Sequence, residues 1–114
     1  MTAARTNLTI EQKATFRKVL TYRDKQQRLV NLTGYGAKMQ IRDDANNLLS
    51  DMNVANGKII IDGASGSITL LLSAIETSAM TFLSANYDLK LVAPNGDEIR
   101  LLEGKVLLSL GQTQ

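Results

Sequence analysis

The stretch Leu32–Arg42, LTGYGAKMQIR, decides the fold. Thr33-Gly34 marks a turn, and after it Ala37, Met39 and Ile41 alternate with Lys38, Gln40 and Arg42. Successive side chains of a strand point to opposite faces, so this pattern predicts a strand buried on one side and wet on the other. Such one-sided burial is the habit of antiparallel sheets packed in a sandwich.

The same period of two recurs on either side. Leu8 and Ile10 alternate with Asn7, Thr9 and Glu11, predicting a short first strand. Ala14–Tyr22 predicts a second, with Phe16, Leu20 and Tyr22 on one face; Lys18 interrupts that face, which places it near an edge where its ammonium reaches water. Further strands are predicted over Leu48–Met52, Lys58–Asp62, Ser67–Ser73 and the run holding Tyr87, Leu89 and Leu91. Ile99–Leu110 reads as a closing strand pair, kinked or bulged at Gly104.

Turn chemistry separates these runs. Asp and Asn crowd positions 43–47, Asn56-Gly57 predicts a hairpin, Gly63–Gly66 turns the chain again, and Pro94-Asn95-Gly96 presets another turn. Ser73-Ala74-Ile75-Glu76 matches a helix capping box, predicting one short helix near residues 74–82 with Ile75, Ala79 and Phe82 on its apolar face. About seven to nine short strands, with turn signals roughly every eight to twelve residues, predict an all-β sandwich. At 114 residues the chain suits one domain. Residues 1–6 are expected to form a flexible arm and residues 7–114 the sandwich.

The chain contains neither Cys nor His. That excludes disulfides, thiolate nucleophiles and Ser-His-Asp or Cys-His catalysis within it, and removes the commonest metal ligand. Carboxylates and Lys remain as possible catalytic groups, but no pair of acids is placed to act as acid and base. Asp97 and Glu98 fall at a turn tip, where water keeps carboxylates ordinary. The oxygen-rich patch Asp43, Asp44, Asn46, Asn47 and Asp51 lacks the spacing of a calcium loop and reads as a turn held by local hydrogen bonds. Gly63–Gly66 lies between strands with no Lys after it, so it reads as a hairpin turn and not as a phosphate loop. No catalytic, cofactor or metal residue is predicted. No apolar run is long enough to cross a bilayer, and no segment resembles an export signal, so a soluble protein is expected.

Charge is uneven. Lys13–Arg42 holds eight basic residues and one acid, Asp24; it carries +7 against −5 for the remainder. Basic stripes bind phosphates or acidic surfaces, and they also protect sheet edges from aggregation. The residues expected to bind a partner are Arg17, Arg23, Lys25, Arg28, Lys38 and Arg42. Nucleic acid is not the expected partner, because within the basic segment only Tyr22 and Tyr35 could stack on bases.

Three segments, taken in order, resemble a family. They are LTGYGAKMQIRDD from Leu32, GKIIIDGASGSITLLLSAIETSAM from Gly57 and YDLKLVAPNGDEIRLLEGKVLLS from Tyr87. Together they are similar to small tailed-bacteriophage virion proteins, specifically the N-terminal domain of phage baseplate upper proteins. The shared motifs fall at Leu32–Tyr35, Asp62–Leu70, Tyr87–Leu89, Pro94–Gly96 and Leu102–Val106. The resemblance implies an immunoglobulin-like sandwich serving as a structural or adaptor piece of a tail, baseplate, collar or fibre in the virion.

Related domains head longer chains whereas this one stops at Gln114, so a free-standing adaptor is expected. Its partners would be other virion proteins and neighbouring copies of itself, with the arm at residues 1–6 adding a strand to a neighbour. No cofactor and no enzymatic activity are expected. A carbohydrate-binding or adhesion module on the same scaffold is the alternative, disfavoured by an aromatic content of 4% and the absence of Trp.

Overall fold

In the computed structural model, which describes residues 4–110, the alternating stretch becomes the strand it predicts. The elements in chain order are β1 (Ala4–Arg5), β2 (Leu8–Glu11), β3 (Phe16–Thr21), β4 (Gly36–Arg42), β5 (Leu48–Asn53), β6 (Ile59–Asp62), β7 (Ser67–Leu72), α1 (Ala74–Ser78), β8 (Ser84–Val92) and β9 (Glu98–Ser109). A large sheet runs β1-β9-β8-β4-β5, with β2 also pairing β9; a small sheet runs β3-β7-β6. The two sheets form a β-sandwich.

The core lies between the sheets. Ala37, Met39 and Ile41 of β4 and Tyr87, Leu89 and Leu91 of β8 face Ile68, Leu70 and Leu72 of β7 and Ile59 of β6. Lys38, Gln40 and Arg42 point outward, as the alternation requires. β3 is an edge, and Lys18 is exposed on it despite sharing the parity of buried Phe16.

The structure corrects several expectations. The sandwich is not wholly antiparallel: β1 and β2 both run parallel to β9. Ala4–Arg5 of the expected arm is therefore paired, and Thr6 donates its amide to the Glu103 carbonyl at 3.0 Å; residues 1–3 lie outside the described residues.

The expected strand pair is one long strand, β9. Its bulge sits at Leu101, because Leu89 faces Leu102 while Lys90 faces Arg100. The extra residue switches parity, so that Ile99 before it, Leu101 itself, and Leu102, Val106 and Leu108 after it all turn inward.

Gly104 has a different job. Its φ is +155°, and a Cβ there would lie 2.1 Å from the Thr6 carbonyl oxygen. The absent side chain admits the crossing between β1 and β2. The Tyr87 hydroxyl closes that crossing by donating to the Thr6 carbonyl at 2.8 Å.

Asn56-Gly57 makes no hairpin. β5 belongs to the large sheet and β6 to the small one, so the turn carries the chain across the sandwich. Gly57 does take the positive φ, +78°, that the dipeptide predicts. The Asn56 side-chain oxygen accepts from the amides of Asn53 and Lys58, tying the end of β5 to the start of β6.

Candidate docking site

The capping box forms as read. Ser73 Oγ accepts from the Glu76 amide at 3.1 Å, and the Ser73 amide donates to Glu76 Oε1 at 2.9 Å. The helix it starts is shorter than expected, ending at Ser78, and its buried residue is Thr77. Ile75 of the predicted apolar face is 83% exposed. Thr77 is drawn inward because its hydroxyl donates to the Ala14 carbonyl at 2.8 Å, which anchors α1 across the β2–β3 turn.

Beyond α1, residues 79–83 (AMTFL) cross to β8 without regular structure. Gln12 Nε2 donates to the Met80 carbonyl at 2.9 Å, and the Leu83 carbonyl accepts from the Leu108 amide at 3.0 Å. These bonds hold Met80 and Phe82 half-buried beside the large sheet's edge strand β5. Between them opens a groove of about 610 Å³ whose lining includes Leu49, Asp51, Lys58, Leu72, Glu76, Met80 and Phe82.

Its lining is mixed: beside the apolar side chains it carries Asp43, Asp51 and Glu76 against Lys58, with Ser50 and Thr81. Lys58 Nζ lies 2.7 Å from Glu76 Oε2. That ammonium, followed by the Ser73 amide, holds the Glu76 carboxyl below its usual range. Asp43 is likewise held low by the Asn47 side-chain amide and the turn's backbone. Glu76 therefore stabilises the folded state fully above its ordinary pKa of 4.5, and the contribution is lost as the pH falls through the lower folded value. Stability curves of wild type and Glu76→Gln should lie apart at neutral pH and converge as the pH falls below 4.5. A constant offset at every pH would mean that the carboxylate charge contributes nothing.

The end of the sandwich around this groove exposes several large apolar side chains. Leu48 and Leu49 open β5, Leu83 is 71% exposed, and Ile75, Leu107 and Leu110 are exposed. They share one end because Arg42, which closes β4, pairs both with Leu48 and with Asn86 near the start of β8. Ser84 at that start pairs with Leu107 of β9.

The six residues expected to bind a partner are not gathered on one face. Arg17 lies on the outer face of the small sheet at edge β3. Arg23, Lys25 and Arg28 follow in the loop beyond β3, where Arg28 pairs with Asp24 at 3.0 Å and Arg23 donates to the Gln27 carbonyl. Lys38 and Arg42 lie on the outer face of the other sheet.

That second face is only partly charge-matched. Rows across β4, β8 and β9 read Lys38-Lys90-Arg100, then Gln40-Asp88-Glu103, then Arg42-Asn86-Lys105. Lys38 pairs with Glu98 at 2.7 Å, and with Lys90 it keeps the Glu98 carboxyl low. Arg100 reaches Asp88 at 3.7 Å and Arg5 reaches Glu103 at 3.1 Å. Such exposed pairs contribute little stability. Among the described residues, Lys13, Arg17, Lys18, Arg23, Lys25, Arg42 and Lys105 have no ion-pair partner. The basic excess of the sequence thus divides between the β3 edge with its flanking turns and the Arg42–Lys105 row of the large sheet.

The groove residues Leu49 and Met80 escape a reading by period, and Phe82, expected on the apolar face of the helix, lies beyond the helix end at Ser78. The available signals were two adjacent leucines that break the β5 alternation and an apolar run after the helix that fits no period. Models of known protein families and the sequences of characterised proteins give no match to this chain.

Proposed function

We propose that the chain is a non-enzymatic docking module, and specifically the structural or adaptor component of a tailed-phage virion that its motif order resembles. It would join tail, baseplate, collar or fibre proteins. The observation that carries the docking reading is the groove between β5 and α1, set in the end of the sandwich that exposes large apolar side chains. Exposed apolar patches with a polar rim are characteristic of protein contacts. Three carboxylates in the lining against one ammonium favour a partner segment with apolar anchors beside a basic residue. The virion assignment rests on the family resemblance alone.

The test uses the full chain co-expressed with each tail and head protein encoded beside it. One of these should co-purify in a fixed ratio, and Met80→Glu together with Phe82→Glu should reduce the complex at least tenfold. Lys38→Ala, on the outer face of the large sheet, should leave it intact. Purified particles should contain the chain by mass spectrometry. Particles that lack it would overturn the virion assignment, and a complex indifferent to both groove variants would overturn the docking site.

A further inference from the structure

The charged outer face of the large sheet has an opposite in the small sheet. β6 is an edge of that sheet, and its sequence with the preceding residue is Lys58-Ile-Ile-Ile-Asp62. Edge strands are normally blunted by a charge, a proline or a bulge. β3, the other edge of this sheet, carries Arg17 and Lys18; Ile59–Ile61 of β6 carries no charge, and Ile60 is 49% exposed.

We infer that β6 pairs antiparallel with β6 of a second copy of this chain, about a two-fold axis through Ile60. Two independent features of the strand agree on this register. The first is hydrogen-bond parity. The Lys58 carbonyl accepts from the Leu71 amide at 2.8 Å, which makes Lys58 and Leu71 a bonded pair and, with the register Ile60–Thr69, turns the Ile60 backbone toward β7 as well. The amides and carbonyls of Ile59 and Ile61 then point away from the sheet. In a two-fold pairing centred on Ile60, each Ile59 meets the other copy's Ile61, so these outward groups satisfy one another.

The second feature is charge. The same register sets Lys58 of each copy opposite Asp62 of the other, on the face that Ile60 shares. One unlike-charge pair therefore closes each end of the strand, with Lys58 shared between Asp62 of the other copy and its own Glu76, which lies 2.7 Å from it. Shifting the register by two residues keeps the hydrogen-bond parity but breaks both charge pairs. The result would be a continuous sheet β3-β7-β6-β6-β7-β3 through the dimer. An edge of this length buries less than the roughly 1,200 Å² of a standard stable interface, so the pairing is weak and concentration-dependent. It gives form to the expected contact between neighbouring copies; it shares only Lys58 with the groove and is tested on the purified chain alone.

Sedimentation equilibrium of the wild-type chain should show a monomer–dimer equilibrium, and Asp62→Lys, which opposes two lysines at both ends, should weaken it at least tenfold. The chain has no cysteine, so Ile60→Cys supplies a clean second readout. Residues facing each other in a non-hydrogen-bonded pair have Cα atoms about 4.5 Å apart, within disulfide range. Mild oxidation should therefore link Ile60→Cys into dimers far faster than Val19→Cys, an equally exposed position on β3. A chain monomeric up to millimolar concentration, an unweakened Asp62→Lys dimer, or equal linking rates for the two cysteine variants would each overturn the inference. Loss of the dimer with groove binding intact would leave the docking module standing.

Discussion

Gly104→Ala is expected to be among the most damaging single substitutions in this chain, costing about 3 kcal/mol. The added methyl would lie 2.1 Å from the Thr6 carbonyl oxygen and 2.9 Å from its carbon, both backbone atoms that no rotamer change can move. The site also holds φ at +155°, where an L side chain is strained. The crossing between β1 and β2 must then lift from β9. That would break the Tyr87 hydroxyl bond to Thr6 and the Lys105 amide bond to Asn7 Oδ1. Chemical denaturation should show the lower midpoint, and amide exchange should rise at Thr6 and Lys105 before the rest of the large sheet. Gly96→Ala is a useful contrast: it shares a positive φ, +96°, but has nothing within 4 Å of the new methyl, so it should suffer the conformational penalty alone.

Leu89→Ala should cost about 4 kcal/mol, in the upper part of the usual 2–5 kcal/mol for a buried leucine. Leu89 is fully buried, and it sits in the middle of the large sheet with Met39 on one side and Leu102 on the other. Both neighbours are held by ladders, so the backbone cannot collapse into the void. Against a total of roughly 5–15 kcal/mol for a domain, the loss leaves little margin. Urea unfolding should show a lower midpoint with an unchanged slope. Leu83→Ala removes the same atoms from a side chain that is 71% exposed and should change stability by under about 0.5 kcal/mol. If the two variants unfolded alike, the inward face of β8 would not be the core.

Local chemistry was legible wherever its consequence stays local. The alternation at Ala37–Arg42 placed β4 with the correct buried face, and Ser73 with Glu76 marked the start of α1. The turn at Asn56-Gly57 was readable as a turn, yet nothing within four residues says that β5 and β6 belong to different sheets. Gly104 signalled an irregularity, but only the fold reveals that its cause is Thr6, nearly a hundred residues earlier. The basic segment was misleading for a related reason. Neighbours in sequence from Arg17 to Arg42 cross from one sheet to the other, and the carboxylates that neutralise Lys38 and Arg100 come from residues 88–103. Period also conceals a site made by residues that break period, which is why Leu49 and Met80 went unread and Phe82 was assigned to a helix that ends before it.

The pairing of β1 and β2 with β9 has a consequence in time. Ala4 meets Leu102 and Leu8 meets Val106, so the earliest described strands wait for the last before they can join a sheet. On the ribosome, Leu8 and Ile10 must therefore stay in water while nearly the whole domain is made. Closing so long a span is entropically slow, and contacts of this separation delay the final step of folding. Throughout that interval β9's partners are unclaimed, and the nascent sandwich depends on neighbouring chains or chaperones leaving its open side alone.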